Sequence, residues 1–99
     1  METTNIRNGN IKGVNPYDNH RETPEQKRDL INRFLDEFAV ASTRWTKNTS
    51  YYFKHIVERY FDTYISNEDF IAVASQRFEN KKDHKSSPNF VFKLKLIQL

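Results

Sequence analysis

The 99-residue sequence predicts an α+β domain, mainly helical, in which three helices are followed by a C-terminal β-hairpin or strand. Three observations carry this expectation. Apolar residues recur at one-face helical spacing along 30–38 and again along 53–64. Helix-start patterns stand at Thr23 and Ser66, each followed three residues later by a side chain able to reach back. From Phe92 the chain alternates strictly, Phe92-Lys93-Leu94-Lys95-Leu96, which is the period of a strand with one buried face.

Residues 1–23 hold both glycines, five asparagines and few apolar side chains, so they cannot bury enough surface to offset the entropy of ordering. They read as a flexible N-terminal arm, with 24–99 as the single small domain. Asn8-Gly9 between Ile6 and Ile11 can turn a short hairpin inside that arm. Thr23-Pro24-Glu25-Gln26 then supplies a capping Thr, a Pro at the first helical position and a Gln placed as in a capping box. Leu30, Ile31, Phe34, Leu35 and Phe38 follow on one face, with Ser42 and Thr43 as the expected frayed end. A polar link at Thr46-Lys47-Asn48 leads to Ser50, read as the cap of a second helix with the stripe Phe53, Ile56, Val57, Tyr60, Phe61 and Tyr64. Ser66 and Asp69 open a third helix that buries Phe70, Ile71, Ala74 and Phe78. Beyond Pro88 the alternating run needs a partner strand, and residues 78–82 are the nearest candidate, which makes 83–89 a hairpin tip. Tyr64-Ile65, the arm and a second molecule are the alternatives. Lys93 and Lys95 are the edge guards such a strand uses against aggregation. Helix, helix, short turn, helix, hairpin is a winged-helix-like order, with Asp62-Thr63-Tyr64-Ile65 as the turn and 83–89 as the wing.

Composition narrows the function classes. A chain of this length buries one small core and leaves little room for a deep active site. The absence of Cys excludes disulfides, thiolate metal sites and a cysteine nucleophile, and fits a cytoplasmic location. No apolar run approaches the ~20 residues of a membrane span, and no signal-peptide succession opens the sequence. The net charge is +3 and the positive excess is concentrated after Thr43 and again after Phe78.

Features able to carry chemistry are sparse. His55 and Glu58 have a spacing two metal ligands can share, but nothing completes a shell, so a helix-surface pair is expected and no metal or cofactor is assigned. Ser50, Ser66, His55 and Asp62 do not make a hydrolytic set, because the serines are better used as caps and no oxyanion or phosphate loop accompanies them. The chain reads as a binding protein, not an enzyme, with no small-molecule substrate. Most aromatics lie on core stripes. Arg44-Trp45-Thr46-Lys47 is the place where an aromatic is interleaved with basic residues outside a stripe, although Trp45 is expected first to close the core between the first two helices.

The strings Ser50-Tyr51-Tyr52-Phe53-Lys54-His55, Tyr64-Ile65-Ser66-Asn67-Glu68-Asp69-Phe70-Ile71-Ala72 and Ser87-Pro88-Asn89-Phe90-Val91-Phe92 resemble, in that order, the spaced blocks of a group of small bacteriophage and mobile-element proteins. Glu68 departs from the pattern, which has Gly there. The resemblance implies a phage or mobile-element origin and brings no activity with it.

Two readings follow. The first is a small nucleic-acid-binding protein of winged helix-turn-helix type that uses Arg44, Lys47, Lys54, Lys81, Lys82, His84 and Lys85, with Arg7 and Lys12 of the arm as flexible phosphate contacts. The second is a protein-binding module of a phage, an inhibitor of a host factor or a small virion component, using the arm and strand edge with Trp45, Tyr51, Lys93 and Lys95. The element order favours the first. Asn67, Glu68 and Asp69 at the start of the third helix oppose a major-groove role for it, because carboxylates repel a duplex.

Overall fold

A computed structural model describes residues 12–17 and 20–97. The element order is α1 (Pro24–Phe38), β1 (Ala39–Ala41), α2 (Ser50–Phe61), α3 (Asn67–Ala74), β2 (Asn80–Lys82), β3 (Phe90–Phe92) and β4 (Leu94–Leu96). The fold is α+β, mainly helical, with the winged-helix-like order the pattern predicts and residues 83–89 in the wing position.

The capping box forms in full: Thr23 Oγ1 accepts from the Gln26 N–H and Gln26 Oε1 accepts from the Thr23 N–H. Helix α1 buries Leu30, Ile31, Phe34, Leu35 and Phe38, but it stops at Phe38 instead of fraying toward Ser42 and Thr43. Ala39 turns extended (φ −115°, ψ 141°), and the next residues pair antiparallel with β4 as Ala39↔Leu96, Val40↔Lys95 and Ala41↔Leu94. A free strand edge offers these residues ladder hydrogen bonds, and Val40 is β-branched, so tertiary pairing overrides the helix-favouring alanines.

The cap of α2 also differs from expectation. Thr49 is the N-cap and makes no side-chain cap bond. Ser50 is fully buried, and its Oγ accepts from the Phe90 N–H at 3.1 Å, which ties the start of α2 to β3. Asp62 ends α2 in the left-handed region (φ 53°), a conformation its short polar side chain tolerates. Helix α3 opens as expected, with Ser66 Oγ accepting from the Asp69 N–H at 3.0 Å.

The alternating C-terminal run is divided by a bend at Lys93 into two short strands that belong to separate two-stranded sheets. Its first half, β3, pairs with β2 as Asn80↔Phe92, Lys81↔Val91 and Lys82↔Phe90; its second half, β4, pairs with β1. Lys93 is the changeover, donating its N–H to the Glu79 carbonyl and accepting from the Ser42 N–H.

Phe34, Phe38 and Tyr60 pack with ring centroids 5.0–5.6 Å apart at one end of the core. At the other, Phe70 stacks on Phe53 (6.0 Å) and meets Phe92 edge-on (5.8 Å). These three phenylalanines belong to the three sequence blocks in turn. So do Ser50, which receives Phe90, and Asn67, whose Nδ2 donates to Asn89 Oδ1 at 2.9 Å. The blocks are the joint where α2, α3 and the wing strand meet.

Part of the segment read as a flexible arm is tied to the helices. The Gly13 N–H donates to the Tyr60 carbonyl at 2.8 Å, the Tyr17 hydroxyl donates to Asp29 Oδ2, and Glu22 accepts from Asn15 and from Thr63. Polar contacts to α1, to the end of α2 and to Thr63 hold this stretch, together with the half-buried Tyr17 ring packed against the core. The Asn8-Gly9 hairpin and Arg7 lie outside the described residues.

Candidate nucleic-acid interface

Loop 42–49 is laid against the β2–β3 hairpin by backbone bonds. The Thr46 N–H donates to the Phe92 carbonyl at 2.8 Å and Thr46 Oγ1 accepts from the Phe92 N–H at 3.2 Å, so Thr46 extends the sheet edge for one residue. Its neighbour Trp45 is therefore carried onto the hairpin and does not fill the gap between α1 and α2. The half-buried indole receives two ammonium groups, Lys81 Nζ at 4.5 Å and Lys93 Nζ at 5.0 Å from the ring centroid. Lys93 also pairs with Glu79 Oε2 at 3.2 Å.

The joined segments 42–49 and 79–97 hold seven lysines and arginines against two carboxylates; the remainder of the chain holds nine against eleven. The whole positive excess therefore lies in one loop-and-hairpin unit. Arg44, Lys47, Lys81, Lys82, His84, Lys85 and Lys95 are exposed there. The wing is a structured tip: the Asp83 N–H donates to the Asn89 carbonyl, the Ser87 N–H to the His84 carbonyl, and buried Ser87 accepts from the Asn89 N–H.

Other expected residues stand elsewhere. Lys54 is buried, its Nζ 2.9 Å from Glu58 Oε1 and 4.8–5.2 Å from the rings of Tyr64 and Tyr51, so it is held for structure and cannot reach a phosphate. Tyr51 is exposed beside His55 and Lys54 on α2. Lys12 donates to the Arg59 carbonyl at 3.0 Å and lines a cleft with Arg59, Glu58 and Asp62, apart from the loop-and-hairpin unit. Glu58 Oε2 lies 2.9 Å from His55 Nδ1. Among the described residues no group of three or more His, Asp or Glu could hold a metal ion, and no helix is long and apolar enough to cross a membrane.

The first turn of α3 is occupied. The Asp69 N–H donates to the capping Ser66 and its carboxylate, which does not reach back to the cap, accepts from Arg28 Nε at 3.1 Å, while Asn67 is bonded to Asn89, which leaves Glu68 as the exposed group. Sequence spacing had marked Trp45 and the lysines separately; their meeting depends on Thr46 bridging to Phe92, which no local pattern announces. No family model, curated protein or solved structure matches the chain.

Proposed function

We propose that the protein binds nucleic acid through its wing and the 42–49 loop, with α3 held away from the bases. The observation that carries this reading is the confinement of the chain's positive excess to that one unit, centred on Trp45. Lysines on a projecting hairpin neutralise phosphates as point charges and release condensed counterions, which supplies affinity with little sequence preference. The exposed carboxylate of Glu68 and the engagement of Asn67 and Asp69 argue against base reading by α3. A phage or mobile-element setting rests on the three sequence blocks alone.

The test is the salt dependence of affinity for duplex and single-stranded oligonucleotides, in wild type and in a Lys81→Gln, Lys82→Gln, Lys85→Gln variant. Each lost phosphate contact should flatten the slope of log affinity against log salt by about 0.9 for duplex or 0.7 for single strand, so the variant should lose between about 2 and 3. A wild-type protein with no salt-dependent affinity for any nucleic acid overturns the reading and favours a protein-binding module, for which exposed Tyr51 and Tyr64 are the available aromatic contacts.

A further inference from the structure

Beside Trp45 the same loop walls a cleft of about 310 Å³ lined by Thr46, Lys47, Asn48, Phe53, Leu94 and Lys95. Its volume is at the low end of the ~300–1,000 Å³ that ligand pockets span, enough for one flat heterocycle. Phe53 and Leu94, each only 3% exposed, lie at its base and offer a small apolar area, the amide of Asn48 offers a donor and an acceptor at the wall, and Lys47 and Lys95 supply positive charge. A base face wants the first, a base edge the second and a phosphate the third.

We propose that this face takes a single strand, with one unpaired base in the Thr46–Lys95 cleft and its neighbour stacked on Trp45. The inference rests on the nucleic-acid reading above and deepens it. A duplex presents phosphates and groove edges and keeps its base faces stacked, so an apolar-floored cleft and an indole face are of no use to it; an unpaired strand offers base faces to both. The two lysines on Trp45 do not block it. An exposed cation–π contact is weaker than base stacking on an aromatic ring, so a base displaces one ammonium, and the released lysine lies beside the phosphate that follows. Glu79 is paired to Lys93 at 3.2 Å, which offsets its charge beside Trp45.

The experiment compares single-stranded DNA, single-stranded RNA and a DNA duplex of equal length at one moderate salt concentration, reading affinity from a labelled oligonucleotide and stacking from the fluorescence of Trp45, the chain's single tryptophan. Single strands should bind more tightly than the duplex and quench the indole; the DNA and RNA arms decide which sugar is preferred. Trp45→Ala should weaken single-strand binding by roughly 5- to 150-fold, the loss of one stacked base. Asn48→Phe fills the cleft at an exposed position without changing charge, so it should weaken single-strand binding by a factor within that same range, roughly 5- to 150-fold. Equal affinity for duplex and single strand, or binding without quenching, would overturn this inference while leaving the nucleic-acid reading in place. No binding to any of the three would remove both.

Discussion

Glu58 connects three groups at the bend between α2 and α3. Its Oε1 accepts from Lys54 Nζ at 2.9 Å and from the Ile65 N–H at 3.1 Å, and its Oε2 meets His55. Burial pushes its carboxyl up, but the hydrogen bonds from Lys54 and Ile65, the Lys54 charge and the His55 contact outweigh that and hold it below the usual range. Glu22 shifts the same way: burial raises it, while its own backbone N–H, Asn15 and Thr63 lower it further. Asp29 is lowered chiefly by the Tyr17 hydroxyl and then by Arg33. A carboxylate with a folded pKa below its unfolded one adds stability that is complete above the unfolded value, about 4, and is lost as pH falls through the folded value. Denaturation midpoints should therefore be level from about pH 7 to 5 and fall below about 4.5, and Glu58→Gln should show a shallower fall; parallel curves would contradict this. Glu58→Ala should cost about 1.5–3 kcal/mol at neutral pH by urea denaturation, because it strands the buried ammonium of Lys54. Gly13 is a second sensitive position. A Cβ there would fall well inside contact distance of the phenol end of Tyr60, whose ring is itself packed against Phe34, Phe38 and Phe61, so Gly13→Ala should destabilise by about 1–3 kcal/mol or release that segment, seen as faster exchange of the amides at position 13 and at Tyr17.

At the scale of elements, α3 is the wedge on which the rest is assembled. Phe70 is fully buried between Phe53 and Phe92, and Arg77 just beyond the helix donates to Asn32 and to Asp36 on α1. Phe70→Ala should cost about 3–5 kcal/mol through the cavity it leaves, and Ser66→Ala about 0.5–2 kcal/mol through the lost cap. Equilibrium urea unfolding measures both, and a harmless Phe70→Ala would mean that this ring does not carry the core. The C-terminal strand has the opposite character. Each half is only three residues long and has one partner, so its stability comes from the helices beneath Phe92, Leu94 and Leu96 and not from its ladder.

For the whole molecule, stability and charge are carried by different side chains, with the inward residues of the hairpin in the core and its lysines outside. The apolar core lies between the helices and the inner strand residues, while the loop-and-hairpin unit carries the charge excess outside it. Neutralising Lys81, Lys82 and Lys85 should for that reason alter stability by less than about 0.5 kcal/mol. Removing residues 1–22 should do more. It takes away the Gly13–Tyr60, Tyr17–Asp29 and Glu22–Thr63 bonds together, so the melting temperature should drop, with a loss of about 1–3 kcal/mol at the midpoint. An unchanged midpoint in thermal denaturation would show that these contacts contribute nothing net.

Periodicity and capping chemistry are local properties, and what they govern was legible in the chain alone. The start of α1 at Thr23 and of α3 at Ser66, most of the core stripes and the wing position all follow from side chains within a few residues of one another, whereas Tyr64 lies past the end of α2 and is exposed, and Phe78 lies past α3 and is half-buried. Three things were not local. Ala39–Ala41 became a strand because a distant edge, β4, offered it hydrogen bonds. Lys54, next to Phe53 and chemically an ordinary surface residue, has local neighbours in Glu58 and Tyr51, but its amine was covered because the bend after α2 sets the Tyr64 ring over it. Trp45 met Lys81 and Lys93 because Thr46 pairs with Phe92, 46 residues away. The sequence by itself determined which segments would be helical, where two of them begin and where positive charge would accumulate, since these depend on neighbours along the chain; only the tertiary structure decided which cations stay exposed and which aromatic they surround, since that depends on contacts whose partners are far apart in sequence.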